Sequence, residues 1–144
     1  MNKKISISLL YLLILAGTAH AALRVTDLRT EQLKNPLGID IRHPRLGWRI
    51  ESDEQNVMQT AYHILVASSP ELLAQGKGDC WDSGKVKTDA SQWITYQGKT
   101  LKCNAPYYWK VKIETNKGAT NWSVPAFWIT GLFNEADWQG QWIG

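Results

Sequence analysis

The segment YYWKVKIE, residues 107–114, alternates apolar and polar side chains without interruption. Side chains of a β-strand point alternately to opposite faces, so this period of two predicts a strand with one buried face. Asn116, Lys117 and Gly118 follow the segment as a turn. The rest of the chain carries no long stretch with the 3.6-residue period of an amphipathic helix, so we expect it to fold mainly from strands.

Six shorter segments have strand character and are separated by turn-forming residues. They lie at 23–30, 46–50, 61–67, 81–86, 92–96 and 126–130. The first has a mixed pattern, in which Leu23, Val25 and Asp27 alternate against Arg24, Thr26 and Leu28. Seven short strands at roughly ten-residue spacing predict an all-β chain folded as an antiparallel β-sandwich of the immunoglobulin kind.

Two connections carry clear local signals. The segment NPLGIDIRHPRLG, residues 35–47, contains two prolines and two glycines and is predicted to be a loop. Ser69 and Pro70 offer a helix N-cap and a proline at the first helical position. A helix of one or two turns is therefore expected over residues 71–75, ending before Gly76.

A tyrosine and a tryptophan make the fold prediction more specific. Leu101 lies six residues before Tyr107, where sandwiches of this class often carry a tyrosine whose hydroxyl bonds the preceding main chain. Trp48 lies on the second predicted strand, and Gly118 supplies a turn eleven residues after Tyr107. This arrangement resembles the fibronectin type III fold, with its strand-B tryptophan and its leucine-to-tyrosine spacing.

The first 21 residues have the three parts of a secretory signal peptide. Lys3 and Lys4 give a positive start, residues 5–16 form an uncharged apolar run, and Ala19 and Ala21 are the small residues expected before a cleavage site. A membrane anchor is the alternative, but about 20 apolar residues are needed to span a bilayer. We therefore expect cleavage after Ala21, export to the periplasm or the medium, and no membrane span in the mature chain.

Removal of that segment changes the charge of the chain. The formal net charge falls from +3 to +1, with 14 Lys and Arg against 13 Asp and Glu. A nearly neutral chain gives no electrostatic reason to expect nucleic acid or an anionic membrane as a partner.

Cys80 and Cys103 are the two cysteines. Export permits a disulfide between them, and two buried free thiols are the alternative. Their spacing has no C-x-x-C pattern, so no metal site is expected.

Catalytic signals are weak throughout the chain. The candidate carboxylate pairs are Asp53 with Glu54, Asp79 with Asp82, and Glu135 with Asp137. All occur in predicted turns or near the end of the chain, so solvated turn residues are the preferred interpretation. His43 and His63 are isolated from each other, and no nucleophile elbow or phosphate-binding loop occurs. We expect no catalytic residue and no cofactor in this chain, and the binding residues are unknown.

Tryptophan is unusually frequent. Three of the eight, Trp48, Trp109 and Trp128, fall on inward strand positions and are predicted to be core. Trp81, Trp93 and Trp122 lie at strand edges and turns, where they could cover a sheet end, meet a neighbouring domain or stack on a sugar ring. Asn121, which precedes Trp122 and Ser123, is in a glycosylation sequon that matters only in a host with that machinery.

Five segments in order resemble one enzyme family. They are NPLGIDIRHPRLGWRI, QTAYHILVASS, WDSGKV, YYWKVKIETNKG and GLFNEADWQGQWIG. Together, over residues 23–144, they are similar to the N-terminal module of bacterial α-L-rhamnosidases. Gly47 departs from the family pattern, which usually has a serine there, and Cys103 replaces a small polar residue.

The resemblance implies a place within a larger enzyme. The family comprises multidomain, exo-acting, inverting enzymes that remove terminal L-rhamnose from plant polysaccharides and glycosides. Their acidic catalytic residues lie on an (α/α)₆ barrel, and none of those motifs has a matching position here. The resemblance therefore implies a non-catalytic accessory module whose partners are the other domains of the enzyme. An independent secreted sandwich that binds plant carbohydrate or protein is the alternative.

The predicted organisation has three parts. Residues 1–21 are the signal peptide, residues 22–131 the fibronectin-like sandwich, and residues 132–144 a linker with the first strand of a second sandwich. Trp138, Trp142 and Ile143 would pack in that second module, so we expect the chain to be a truncated form of the enzyme.

Overall fold

The computed structural model describes residues 22–138 and 140, and within them it contains eight strands and little helix. The predicted signal peptide, Trp142 and Ile143 lie outside the described residues. The strands are β1 (Arg24–Thr30), β2 (Arg45–Glu51), β3 (Gln59–Ala67), β4 (Trp81–Asp82), β5 (Ile94–Thr95), β6 (Pro106–Thr115), β7 (Gly118–Ala119) and β8 (Ala126–Ile129). The helices are α1 (Pro70–Ala74) and a 3₁₀ turn at Glu135–Asp137.

The strands form two antiparallel sheets. One has the order β1-β2-β5, and the other has the order β4-β3-β6, with β7 and β8 both paired to the far side of β6. The prediction of an all-β, antiparallel immunoglobulin-like sandwich is confirmed. The strand count differs by one because β7 is only two residues long and directly follows the Asn116–Lys117 turn. The strands β4 and β5 are shorter than predicted.

The pairing of β3 with β6 brings the apolar faces of both strands to the interior. Tyr62 pairs with Ile113, and Val66 pairs with Trp109. Every odd-numbered residue from Tyr107 to Ile113 is buried, as the strict alternation predicts. The three tryptophans predicted to be core are fully enclosed; they are Trp48, Trp109 and Trp128. Their large apolar surfaces fill the space between the sheets.

The first strand departs from the predicted alternation. Val25 and Leu28 are both buried, although a regular strand would place them on opposite faces. A bulge between Thr26 and Arg29, with Asp27 at φ 49°, shifts the register by one residue. The bulge lets a mixed sequence contribute two apolar side chains to the core.

The outer face of the second sheet is covered by the short helix. Ser69 accepts a hydrogen bond from the Leu72 N–H at 3.3 Å, and Pro70 begins the helix, so the predicted N-cap is confirmed. Leu73 packs against Leu65 and Ala67, which point away from the main core. The second sheet therefore packs against the main core on its inner face and, in part, against the helix on its outer face.

Gly47 is packed beneath a side chain. A Cβ at this position would lie 2.6 Å from the Gln92 Oε1, and the Gln92 Nε2 donates to the Trp48 carbonyl. A serine, usual here in the resembling family, would require Gln92 to move. The glycine that departs from the family pattern is thus accompanied by the close packing of Gln92 over it.

Candidate interdomain surface

Four of the six candidate carboxylates, Asp53, Asp79, Asp82 and Asp137, accept hydrogen bonds from main-chain N–H groups. Asp79 accepts from the Ser68 N–H at 2.9 Å and from the Ser68 hydroxyl at 2.6 Å. Asp53 accepts from the Ala22 N–H at 3.2 Å. Burial opposes ionisation of Asp79, but the Ser68 bonds outweigh it and hold the pKa of that carboxyl below its usual value. A general acid needs the opposite shift, so Asp79 is suited to a structural role.

Asp82 is paired with a histidine. The Gly84 N–H and the His63 ring lower the pKa of the Asp82 carboxyl, with His63 Nε2 at 2.6 Å from the carboxylate. The other histidine, His43, contacts the Tyr96 carbonyl through Nδ1 at 3.2 Å. The two histidines thus have separate partners. Within residues 22–138 and 140, no group of three or more His, Cys, Asp and Glu side chains is placed to hold a metal ion.

The two cysteines are free thiols in this structure. The Cys103 thiol donates to the Asp137 Oδ2 at 3.2 Å. Burial, together with nearby Asp79, raises the pKa of the Cys80 thiol and makes it a poor nucleophile at neutral pH. A disulfide between Cys80 and Cys103 in the exported protein stays a prediction.

The peripheral tryptophans have different surroundings. Trp122 is half-buried, with the ammonium groups of Lys110 and Lys112 lying 5.0 and 4.8 Å from its ring centre. The His63 ring packs edge-on against Trp122 at 5.1 Å. Because these three side chains already pack on the indole ring, Trp122 covers the outer face of the second sheet and does not offer a free stacking surface.

Trp81 and Trp93 line one surface depression of about 400 Å³ between β4 and β5. Trp93 is 55% exposed and has φ 60°, an uncommon conformation for a bulky residue. The Arg45 guanidinium lies 4.6 Å from its ring centre, and Glu31 holds that guanidinium through Oε2 at 2.6 Å. One face of Trp93 is thereby fixed against the protein.

The segment after β8 is anchored to the sandwich. The Asp137 Oδ2 accepts from the backbone N–H groups of Phe133 and Asn134, at 3.2 and 3.0 Å, as well as from the Cys103 thiol. Arg42 lies 4.7 Å from the Phe133 ring centre and donates to the Asn134 Oδ1. The segment 131–138, here called the exit segment, therefore leaves the sandwich in a defined direction.

The loop between β1 and β2 runs beside the exit segment. The Ile39 N–H donates to the Ile129 carbonyl at 2.9 Å, and the Gly131 N–H donates to the Ile39 carbonyl at 2.8 Å. While Ile39 is buried, Leu37 is 72% exposed, Ile41 40% and Trp138 61%. Loop and exit segment thus share one end of the sandwich and carry exposed apolar side chains there; we call this the exit face.

Sequence reasoning missed most of the exit face. The sequence predicts only a loop for residues 35–47, and for Asp137 only a candidate carboxylate within a linker over residues 132–144. The apolar residues at alternate positions 37, 39 and 41 are a signal that could have revealed a strand-like segment. The contact of Arg42 with Phe133 and Asn134 leaves no such signal, because about 90 residues separate the partners.

The fold and these contacts define an immunoglobulin-like module in which the carboxylates of Asp53, Asp79 and Asp137 bind the module's own main chain. Residues 25–134 match the model of the Rha78A-like, N-terminal immunoglobulin domain, and the chain belongs to this family. It is 42% identical over 124 residues to an α-L-rhamnosidase of Streptomyces avermitilis, covering 85% of this chain and 12% of that protein.

Solved structures agree with this membership. The S. avermitilis α-L-rhamnosidase complexed with L-rhamnose superposes with a TM-score of 0.80, over 85% of this chain and 12% of that one. The α-L-rhamnosidase from Dictyoglumus thermophilum has a TM-score of 0.80 at 38% identity, over 84% of this chain and 14% of that one. The chain thus spans about an eighth of the length of the relatives it matches.

Proposed function

We propose that this chain is the non-catalytic N-terminal accessory module of an exported α-L-rhamnosidase that hydrolyses terminal α-L-rhamnose from plant glycans or glycosides. The catalytic residues would lie in other domains of the enzyme, and those domains would be the partners of the module. The observation that carries the proposal is the match to about an eighth of each α-L-rhamnosidase, confined to an immunoglobulin-like domain.

The chemistry of the described carboxylates supports a non-catalytic role. Inverting glycoside hydrolysis needs a carboxylic acid of raised pKa opposite a carboxylate that activates water. Asp79, Asp82 and Asp137 instead have lowered pKa values, because each accepts hydrogen bonds from neighbouring groups. These groups are ionised at neutral pH and hold loops together.

Export of the module is expected from the signal-peptide pattern of residues 1–21. Cleavage after Ala21 would turn the Ala22 nitrogen, which lies 3.2 Å from the Asp53 carboxylate, into a charged ammonium and strengthen that bond. Among residues 22–138 and 140, no helix is long and apolar enough to cross a membrane.

The size of the native protein tests the accessory role. An antibody raised against residues 22–140 should detect, in extracts of the source organism, a rhamnosidase about eight times the length of the matched segment, since that segment is 12% of a relative. The DNA after codon 144 should continue the reading frame. Detection of a native protein no larger than this chain would overturn the proposal.

The depression at Trp81 and Trp93 favours a second candidate function, carbohydrate binding. Indole faces can stack on the apolar faces of sugar rings, and Asp82, Thr95 and Gln97 line the same depression with polar groups. Intrinsic fluorescence can be titrated with L-rhamnose and rhamnosylated oligosaccharides, with Trp93→Ala and Trp122→Ala compared. Saturable quenching that is lost only in Trp93→Ala would favour this function. A response that is unchanged in that variant would exclude this depression as the sugar-binding site.

A further inference from the structure

We infer that the exit face is the surface on which the next domain of the rhamnosidase docks. The surface is defined by the exposed side chains of Leu37 and Ile41 in the β1–β2 loop and of Trp138 in the exit segment. The inference rests on the proposed function, because it needs a further domain, and it assigns that domain to one end of the sandwich.

The first argument is exposed apolar area at a rigid place. Leu37 and Trp138 leave most of their surface in water, although the backbone on both sides of the exit face is held by hydrogen bonds. Covering large apolar side chains on an ordered surface with a partner is favourable, because it removes apolar area from water. The Gly38 carbonyl lies 3.0 Å from where a Gly131 Cβ would be, which shows how closely loop and exit segment run together.

The second argument is chain continuity. Trp138 belongs to the segment that leads out of the sandwich, so the residues that follow it begin at the exit face. A domain tethered at this point has a high effective concentration at the exit face. The next domain therefore reaches Leu37 and Ile41 at a lower entropic cost than any separate protein.

The third argument is the fixed direction of the exit segment. Asp137 binds Phe133, Asn134 and Cys103, while Arg42 binds the same segment from the loop. A flexible tether would not need these contacts. Their effect is to hold residues 133 and 134 against the loop, so that the chain leaves the sandwich at the exit face.

The test uses a chimaeric enzyme. Residues 22–140 of this chain replace the matched N-terminal part of the Streptomyces avermitilis α-L-rhamnosidase, to which they are 42% identical. The rate of proteolytic release of the module is compared for the chimaera and for the double variant Leu37→Ser/Ile41→Ser. We expect release to be at least about tenfold faster in the double variant, since burial of each side chain contributes to docking.

Met58→Ser is the matched control. Met58 is 62% exposed but lies beside Asn116, at the opposite end of the ten-residue strand β6 and about 30 Å away. Its substitution should leave the release rate unchanged, and the isolated chain should melt at the same temperature with and without each substitution.

Three results would overturn the inference. They are equal release from the chimaera and the double variant, equally fast release from Met58→Ser, and release from the unsubstituted chimaera as fast as from an unstructured linker. The measurement follows release rather than rhamnoside hydrolysis, so its failure is distinct from failure of the accessory role.

Discussion

The hydroxyl of Tyr107 accepts a hydrogen bond from the backbone N–H of Lys102 at 2.7 Å. The bond closes the corner that leads into β6, and Leu101, the residue before Lys102, is buried in the same core cluster as Tyr107. This is the contact predicted from the six-residue spacing between Leu101 and Tyr107. It joins the central strand of the second sheet to the loop that carries Cys103, and through Cys103 to the exit segment.

Tyr107→Phe tests that corner. The substitution keeps the ring that stacks on Trp128 but leaves the Lys102 N–H without its acceptor. We expect the free energy of unfolding to fall by about 1–3 kcal/mol. Urea unfolding of the isolated chain measures this loss. Tyr108→Phe, on the half-buried outer face, is the control and should change stability by less than about 0.5 kcal/mol.

Glu31 is predicted to make stability depend on pH. The Arg45 guanidinium, hydrogen-bonded to Glu31, holds the pKa of that carboxyl below its usual value of 4.5. A depressed folded-state pKa stabilises the fold above the unfolded pKa, and the contribution disappears as the pH falls through the folded pKa. Glu31→Gln should therefore lower stability at neutral pH and have a shrinking effect in acid.

Thermal unfolding at several pH values measures that dependence. Glu54→Gln, in an exposed turn, serves as the control. An effect of Glu31→Gln that is equally large at neutral and strongly acidic pH would show that its charge is not the cause.

Asp137→Ala is predicted to loosen the exit segment without unfolding the sandwich. The substitution removes the acceptor shared by the Phe133 and Asn134 amides and by the Cys103 thiol. Hydrogen exchange at those two amides should become faster, while exchange in β6 stays unchanged. Asp89→Ala, in an exposed loop, is the control. Unchanged exchange at Phe133 and Asn134 would contradict the anchoring role of Asp137.

Export is tested by the N-terminus of the mature protein. Cleavage after Ala21 should give a chain that begins with Ala22, whose free ammonium can pair with Asp53. Mass spectrometry of protein recovered from the periplasm or medium of an exporting host identifies the first residue. A chain that still begins with Met1 in such a host would contradict the prediction.

Local patterns accounted for most of the sandwich. The period of two in β6, the Ser69–Pro70 helix start and the Leu101–Tyr107 spacing each depend on residues close in sequence, and all three are confirmed. The bulge at Asp27 could not be predicted in this way. It depends on the pairing of β1 with β2, and no glycine marks its left-handed residue.

The candidate interdomain surface was much harder to predict than the core. Its parts come from a loop near residue 40 and a segment near residue 135, and they meet through the pairing of Ile39 with the end of β8 and through the contact of Arg42 with Asn134. Sequence reasoning did identify Trp138 as a residue expected to contact another domain. It could not connect the exit segment with the loop that carries Leu37 and Ile41, because the contacts between them are created by the tertiary fold.

A hydrolysis assay tests the central claim most directly, namely that this module supplies no catalytic group. Purified protein of residues 22–144 is incubated at high concentration with an aryl α-L-rhamnoside, beside the same protein inactivated by heat. The account predicts equal release of the aryl group in both samples. Turnover above the heated control, abolished by substitution of a single carboxylate, would contradict it.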